Sequence, residues 1–229
     1  MSKNNTIFGE KIPFVEYKAV SNEQLGFFID SSICSGCKAC QVACKDKNQL
    51  EVGRRFRRVY EVAGGEFIET PNGAFKNDVY AYTLSISCNH CDDPVCVKNC
   101  PTQAMHKRAG DGIVRVDTDR CVGCGYCSWS CPYGAPQMNI EAGQMSKCDM
   151  CIDRLAEGKQ PVCVESCPLH AIKFGKIRDL RAKYGNVNEV RGMPSANITN
   201  PNIVINPNKG AVTINKKELN ITIEDVANG

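Results

Sequence analysis

Short apolar runs divided by polar turns make up most of the chain, and they set the first expectations about secondary structure. Four runs have the length of strands, at residues 25–29, 79–86, 112–116 and 171–174. Such runs, bounded by Gly, Pro, Asn or Asp, are typical of β-strands. Residues 153–159 predict a short helix that ends at Gly158. No apolar run approaches the roughly 18–20 residues that a bilayer-spanning helix requires.

Two further segments have patterns of their own. Residues 57–62 and 66–70 flank an Ala-Gly-Gly turn at 63–65, which predicts a solvent-exposed β-hairpin that covers a cofactor and has no further role.

From Lys176 onward the chain is rich in Asn and contains short apolar pieces such as residues 203–205. These pieces have nothing to bury against within the tail, so we expect the tail to lie along a partner; a frayed end is the alternative.

Charge excludes one class of function. The chain has 28 Lys and Arg against 25 Asp and Glu, a formal net charge of +3, and the two signs are interleaved. A basic stripe of the kind that binds nucleic acid is therefore not expected. The first twenty residues show no apolar signal-peptide core, and Arg54–Arg55 lies too far along the chain for a twin-arginine signal. We expect any export to depend on another protein.

Sixteen cysteines in 229 residues are the outstanding feature of the composition, and they fall into four groups of four with none left over. Groups one and three have the spacing C-x2-C-x2-C-x3-C, group two has C-x2-C-x4-C-x3-C, and group four has C-x2-C-x11-C-x3-C. The groups are Cys34, Cys37, Cys40 and Cys44; Cys88, Cys91, Cys96 and Cys100; Cys121, Cys124, Cys127 and Cys131; and Cys148, Cys151, Cys163 and Cys167.

This spacing is typical of ferredoxins that bind two [4Fe–4S] clusters. A short turn with cysteines at two-residue gaps reaches three irons of one cluster, whereas the fourth cysteine binds the other cluster of the pair. We expect a helix to begin inside each x3 gap. In three groups a proline follows the fourth cysteine and constrains the chain as it leaves the site; in group one Lys45 follows instead.

Other chemistry fits the cysteines less well. Zinc sites use separated C-x2-C pairs, and a disulfide framework leaves the fourfold x3-Cys repeat unexplained. Four groups of four thiolates supply one ligand to every iron of four clusters, which leaves no iron open to a substrate. Electron transfer is therefore favoured over a free-standing oxidoreductase, for which the chain also lacks a dinucleotide-binding loop. A metal-stapled interaction module without redox activity is the third hypothesis.

The four groups predict an α+β fold of two nested ferredoxin-like modules, with short elements and much irregular chain. Groups two and three would form an inner module at residues 78–145. Groups one and four would form an outer module from residues 25–77 and 146–184. Residues 1–24 and 185–229 would be extensions that dock partners.

Several motifs resemble one family. The segments CNHCDDPVC at residues 88–96 and CPYGAPQ at 131–137 are similar to those of four-cluster subunits of molybdopterin oxidoreductases. The run AMHKR at residues 104–108 narrows the resemblance to the iron–sulfur subunits of dimethyl sulfoxide reductases. The likeness extends from about residue 25 to beyond Tyr184 and resumes at residues 202–207. The first two dozen residues depart from it.

The resemblance implies four ligand sets. Cluster 1 would be held by Cys34, Cys37, Cys40 and Cys167, and cluster 2 by Cys44, Cys148, Cys151 and Cys163. Cluster 3 would be held by Cys100, Cys121, Cys124 and Cys127, and cluster 4 by Cys88, Cys91, Cys96 and Cys131. Related nitrate reductases have Trp at the position of Cys124 and hold a three-iron cluster there, so Cys124 implies four irons.

The resemblance also implies partners and a location. The chain would be a non-catalytic subunit that relays single electrons from a membrane quinol-oxidising subunit, or a cytochrome, to a molybdopterin-containing catalytic subunit. Clusters 1 and 2 would face molybdenum, and clusters 3 and 4 the electron donor. Membrane contact would come only through partners. The complex would lie on the outer, periplasmic side of the cytoplasmic membrane by co-export with the catalytic subunit, or at the cell surface. Polysulfide, tetrathionate and formate systems are alternatives to dimethyl sulfoxide and other S-oxides.

Overall fold

The computed structural model describes residues 13–212, which contain eleven strands, seven α-helices and a 3-10 turn at Ala196–Ile198. The strands are β1 Leu25–Asp30, β2 Arg58–Gly64, β3 Phe67–Glu69, β4 Phe75–Asn77, β5 Tyr80–Ile86, β6 Met105–Lys107, β7 Val114–Val116, β8 Gln137–Asn139, β9 Gln144–Ser146, β10 Ile172–Lys176 and β11 Ile203–Asn206. The helices are α1 Ala39–Lys47, α2 Val95–Lys98, α3 Tyr126–Ser130, α4 Ile152–Ala156, α5 Val162–Glu165, α6 Ile177–Tyr184 and α7 Lys209–Val212. No helix in this range is long and apolar enough to cross a membrane.

These elements confirm the predicted α+β class of short strands and helices. The four predicted strands are present as β1, β5, β7 and β10, with bounds shifted by at most two residues. The helix predicted at residues 153–159 is α4, which ends two residues before Gly158. Irregular chain connects most elements, as the cysteine-rich segments require.

A three-stranded sheet in the order β10–β1–β11 carries much of the hydrophobic core. β1 lies in the middle, antiparallel to β10 and parallel to β11, with Phe27 opposite both Phe174 and Ile203. Successive side chains of a strand point to opposite faces. Phe27 accordingly packs into the larger core, and Phe28 packs against α6 on the other face. The near-continuous apolar sequence of β1 thus reflects burial on both faces.

β11 corrects the expectation about the tail. Residues 203–205 are not free to lie along a partner, because they pair with β1. Their side chains pack into the hydrophobic clusters on the two faces of the sheet. Val204 and Ile205 are fully buried. The expectation was wrong for this segment because pairing between strands so distant in sequence leaves no local pattern. Residues 213–229 lie outside the described range, and for them the partner-docking role stays a prediction.

Residues 13–24 also pack against the rest of the described chain. The Arg115 Nη2 donates to the Val15 carbonyl at 3.0 Å, and its guanidinium carbon lies 4.6 Å from the centroid of the Phe14 ring. The Arg108 Nη2 donates to the Tyr17 carbonyl at 2.8 Å. Residues 1–12 lie outside the described range. The docking role of residues 1–24 therefore stays a prediction. Residues 14–17 of this segment contact Arg108 and Arg115 of their own chain.

The hairpin predicted around residues 63–65 is wrong. β2 pairs with β5 rather than with β3, in a register that places Gly64 opposite Tyr80. β3 pairs with β4, and the reversal lies at residues 71–73, where Pro-Asn-Gly forms the tighter turn. Gly65 instead links the two ribbons at φ +90, where a side chain would collide with the Asp78 carbonyl. β3 and β4 are solvent-exposed, as expected of a flap.

The helices of the cysteine groups begin earlier than predicted. α2, α3 and α5 hold the third cysteine of their groups and end before the fourth. The proline that follows the fourth cysteine explains why the helix ends before that cysteine, because a residue that precedes proline is disfavoured in the helical region. Cys131, for example, has extended φ and ψ of −79 and 115. Cys44, which Lys45 follows, stays within α1.

The pairing of the strands does not separate the two predicted modules. β1 and β10 come from the outer module and pair with each other, whereas β6–β7 and β8–β9 are ribbons of the inner one. The β2–β5 ribbon, however, crosses the predicted boundary at residues 77 and 78, and β11 joins the sheet of the outer module. The boundaries stay a prediction.

The position of β11 leads to a stability prediction. Ile205→Ala removes a fully buried side chain and should cost about 2–5 kcal/mol, which lowers the thermal midpoint by at least about 4 °C for a protein of this size. Ile198→Ala, at an exposed position, is the matched control and should change little. The midpoint is followed as the loss of visible iron–sulfur absorption, under anaerobic conditions. Equal midpoints for the two variants would contradict burial of the tail in the core.

Candidate iron–sulfur sites

All sixteen cysteines lie in the described range, and none of them forms a disulfide bond. The structure gathers them into four sets, which we call the first to fourth cages and number as the predicted clusters. The first cage is a cavity lined by Cys34, Cys37, Cys40 and Cys167. The fourth is a cavity lined by Cys88, Cys91, Cys96 and Cys131. Each cage draws three cysteines from one group and the remaining one from another.

The other two cages are evident from the surroundings of one thiol in each. Burial raises the pKa of the Cys148 thiol well above its ordinary value, and Cys44, Cys151 and Cys163 are among the neighbours that raise it further. Burial likewise raises the pKa of Cys127 to about 11, with Cys121, Cys100 and Cys124 next to it. Cys88, which lines the fourth cage, also raises the pKa of Cys148; the other neighbours complete the second and third predicted ligand sets. The assignment of ligands stays a prediction, which this placement supports.

One backbone turn recurs in all four groups. The residue before the second cysteine has a positive φ in each, whether it is glycine or not: Gly36 at 70, His90 at 45, Gly123 at 68 and Met150 at 63. This left-handed residue bends the C-x2-C segment back on itself, so the first two thiols face the same cavity. Only two of the four positions are glycine, so the sequence alone shows this repeat incompletely.

A second turn follows the fourth cysteine in the three groups that have proline. Gln103, Gly134 and His170, each three residues after that cysteine, have φ of 55, 57 and 50. The turn aims backbone N–H groups at sulfur: Met105 donates to Cys100 Sγ at 3.3 Å, and Ala171 donates to Cys167 Sγ at 3.2 Å. Hydrogen bonds to sulfur favour the thiolate and tune the potential of a bound cluster.

Buried cations stand beside the cages. Arg57 is 1% exposed and Lys147 is 6% exposed. Burial lowers the pKa of Lys147, but the thiolates of Cys88 and Cys148 raise it by more, and Lys147 also lines the fourth cage. Sequence reasoning missed both residues. The position of Lys147 directly before Cys148 was the only available signal, and Arg57 had none, since it comes close to cysteines only in the folded chain.

His90 is fully buried, and its ring takes part in a hydrogen bond with the backbone. Its Nδ1 accepts the backbone N–H of Val114 at 2.9 Å. Burial, with Lys147 and Lys107 nearby, lowers the pKa of His90 well below its ordinary value. The ring is therefore neutral at physiological pH, with its remaining proton on Nε2.

The exposure of the thiols and their neighbours indicate that the four cages form a line. Cys37 of the first cage and Cys124 of the third are exposed, whereas every thiol of the second cage is buried. Cys40 has Cys163 beside it, Cys148 has Cys88 beside it, and Cys96 shares a core cluster with the third cage. The order is therefore first, second, fourth, third, with the two ends at the surface.

The cages fit cubane clusters. A [4Fe–4S] core binds one thiolate at each of its four irons, so the donors must surround a cavity rather than meet at a point. The first and fourth cages are such cavities. Among the described residues, no three His, Cys, Asp or Glu side chains converge on a position for a single metal ion.

Comparison with known proteins gives the family. A family model described as a 4Fe-4S dicluster domain matches residues 79–177. The chain is 60% identical over 185 residues to the probable anaerobic dimethyl sulfoxide reductase chain YnfG of Escherichia coli K12, which covers 81% of this chain and 89% of the relative. It belongs to the family of anaerobic dimethyl sulfoxide reductase B subunits. The B subunit of Escherichia coli K12 is 59% identical, with the same coverage. The B subunit of Haemophilus influenzae is 49% identical over 189 residues, 82% of this chain and 92% of the relative.

Members of this family are iron–sulfur electron-transfer subunits of oxidoreductase complexes, not catalytic subunits, and the chain is one of them. Its cofactors are [4Fe–4S] clusters, and its sixteen thiols form four cages for them. The comparison therefore confirms the electron-transfer interpretation over a free-standing oxidoreductase.

The exposed thiols at the two ends offer a test of the ligand sets. Cys124→Ser should convert or remove only the third cluster, and Cys37→Ser should affect only the first, because each thiol belongs to one cage and its replacement disturbs no core packing. Electron paramagnetic resonance of the dithionite-reduced holoprotein counts the remaining signals. Loss of two clusters in either variant, with the fold intact by circular dichroism, would contradict the partition.

Removal of iron should unfold the chain. Without clusters the buried thiols are uncharged at neutral pH, since burial raises the pKa of Cys91 and Cys96 to about 12. Arg57 and Lys147 then lack anionic neighbours, at a cost of several kcal/mol for each buried charge, comparable with the 5–15 kcal/mol that holds a typical domain folded. Anaerobic chelation of iron should abolish the near-ultraviolet circular dichroism. A native spectrum after complete iron loss would contradict this.

Proposed function

We propose that the chain relays single electrons through four [4Fe–4S] clusters to the molybdopterin-containing catalytic subunit of an S-oxide reductase. The donor would be a membrane quinol-oxidising subunit or a cytochrome. One observation carries this proposal: the cages follow one another so that the second has every thiol buried, whereas the first and third, at the two ends, each expose a cysteine, Cys37 and Cys124. A line of this kind accepts electrons at one surface and delivers them at another.

Both ends have apolar surface that a partner could cover. Beside the first cage, Ile33 and Leu169 are exposed. Beside the third, Val122 and Tyr126 are exposed, and Trp129 is 79% exposed with its ring 5.5 Å from that of Tyr126. Exposed apolar residues in one place are typical of protein contact sites. By the family resemblance, the first cage would face the catalytic subunit and the third the donor.

The chain's own residues bind, space and shield the cofactors. When bound, each cluster takes up and releases one electron. The cages supply one thiolate for every iron, so no ligand position is left for a substrate. Backbone N–H groups and the buried cations Arg57 and Lys147 stabilise the negative charge, and the core excludes water from the second cage. Substrate chemistry therefore belongs to the partner.

The substrate class rests on the relatives. The chain is most simply assigned to dimethyl sulfoxide and other S-oxides, because the three relatives described above, at 49–60% identity, are subunits of anaerobic dimethyl sulfoxide reductases. Polysulfide, tetrathionate and formate systems are the alternatives. We further propose that the complex works on the outer side of the cytoplasmic membrane after co-export with the catalytic subunit, or at the cell surface.

The proposal is tested on the complex isolated anaerobically through a tag on this chain. A co-purifying large subunit should contain molybdopterin. After reduction by a quinol, addition of dimethyl sulfoxide should reoxidise the clusters, whereas polysulfide, tetrathionate or formate should not change their oxidation state. A large subunit without molybdopterin would overturn the family role, and reoxidation by polysulfide or tetrathionate alone would overturn the substrate class.

One variant tests the direction of the line in the same experiment. Trp129→Asp should slow cluster reduction by quinol and leave reduction by dithionite unchanged, since it alters only the surface beside the third cage. Val52→Asp, at an exposed apolar position in the loop between α1 and β2, is the control and should behave like the unaltered chain. Equal quinol rates for all three proteins would contradict docking of the donor at this end.

A further inference from the structure

Arg57 carries a buried positive charge for which the described residues offer no carboxylate. Its side chain is 1% exposed, and no Asp or Glu of the described range lies within 4.0 Å of its guanidinium nitrogens. A guanidinium stays protonated in proteins. An unpaired buried charge is strongly unfavourable, so its counter-charge must come from something else in contact with it.

Fixed contacts hold the guanidinium in one place. Nη1 donates to the Ser85 hydroxyl at 3.1 Å, and Nη2 donates to the Ser87 hydroxyl at 3.0 Å. The guanidinium carbon lies 4.7 Å from the centroid of the Phe27 ring. Nε is buried and has no hydrogen-bond partner among the described residues. The charge is therefore rigidly positioned, and its Nε–H is free to donate to a further acceptor.

The anions around this charge belong to two cages. Burial alone would lower the pKa of Arg57, but the thiolates of Cys163 and Cys40 raise it by more, followed by those of Cys148 and Cys44. Cys40 is a thiol of the first cage, and the others are thiols of the second. Burial raises the pKa of Cys44 to about 11, and the guanidinium and backbone N–H of Arg57 are among the groups that oppose this rise. Arg57 thus stands where the first two cages meet.

Ser85 extends this contact into the first cage. Its Oγ lies 3.4 Å from Cys40 Sγ, and Ser85 lines the same cavity as the four thiols. Because Oγ accepts a hydrogen bond from Arg57, and a ligating thiolate can only accept, the hydroxyl proton of Ser85 points at Cys40 Sγ. Arg57 therefore positions a second donor to the sulfur of the first cage.

We propose that Arg57 is the shared counter-charge of the first and second clusters and that, with Ser85, it raises their reduction potentials. Arg57 and Ser85 are positioning residues: neither binds iron. Reduction adds one negative charge to a cluster, and a fixed positive charge or a hydrogen bond to sulfur stabilises that added charge. This inference deepens the proposed function, because it rests on the four-cluster relay proposed there, but it is independent of the terminal substrate.

The test is a redox titration of the holo-complex, followed by electron paramagnetic resonance. Arg57→Gln should lower two of the four midpoint potentials, each by at least about tenfold in the reduction constant, or 59 mV for one electron. Ser85→Ala should lower only one of those same two, by about fivefold. Arg57→Lys, which keeps the charge, should restore most of the Arg57→Gln shift. Potentials rather than activity are measured, so an effect on folding alone would not reproduce this pattern.

Controls separate the possible failures. Arg178→Gln removes the same charge at an exposed position of α6 and should shift no potential. Iron and sulfide analysis of the unaltered complex comes first: fewer than four clusters would overturn the proposed relay, whatever the variants do. Given four clusters, unchanged potentials in Arg57→Gln, or equal shifts in all four, would overturn the role of Arg57. If Arg57→Gln takes up no iron, Ser85→Ala decides: no shift, or a shift in more than one cluster, overturns the proposal.

Discussion

The whole structure depends on one constraint: each cage is completed by a cysteine from a different group. Cys167, from the fourth cysteine group, reaches the first cage, and Cys44, from the first group, joins the second. These shared cages join segments that are distant in sequence. The sheet β10–β1–β11 also joins distant segments, through backbone hydrogen bonds. The cofactors and the sheet therefore specify the same long-range arrangement. Most of the thiols lie on irregular chain and turns, and helices of only four or five residues hold Cys96, Cys127 and Cys163.

A second consequence concerns charge. Four cages place many thiolates in a buried interior, where an unbalanced charge is costly. The chain answers with backbone N–H groups aimed at sulfur and with two buried cations, Arg57 and Lys147. These cations stand next to thiols of neighbouring cages rather than within a single one. The groups that stabilise the fold are thus the same groups that tune how readily each position in the line accepts an electron.

Much of the site could be predicted from the sequence, because ligand spacing is a local property. The cysteine gaps indicated four cages, and the prolines after three groups indicated a distinct exit turn, which the left-handed residues Gln103, Gly134 and His170 form.

What was missed depends on contacts between distant segments. β11 has only four residues and no alternation, so only its pairing with β1 makes it a strand. Arg57 lies in an arginine-rich segment at residues 54–58, and its neighbours Cys40 and Cys163 approach it only after folding. The β2–β3 hairpin failed because two turn signals competed, and Pro-Asn-Gly prevailed over Ala-Gly-Gly.

The central claim is that crossed ligands form one line of four clusters. Anomalous scattering at the iron edge, from crystals of the anaerobically purified complex, tests this most directly. We expect four separate iron peaks within this chain, in the order first, second, fourth and third, with the first and third nearest its surface. Fewer than four peaks, or a first peak adjacent to the third, would contradict it.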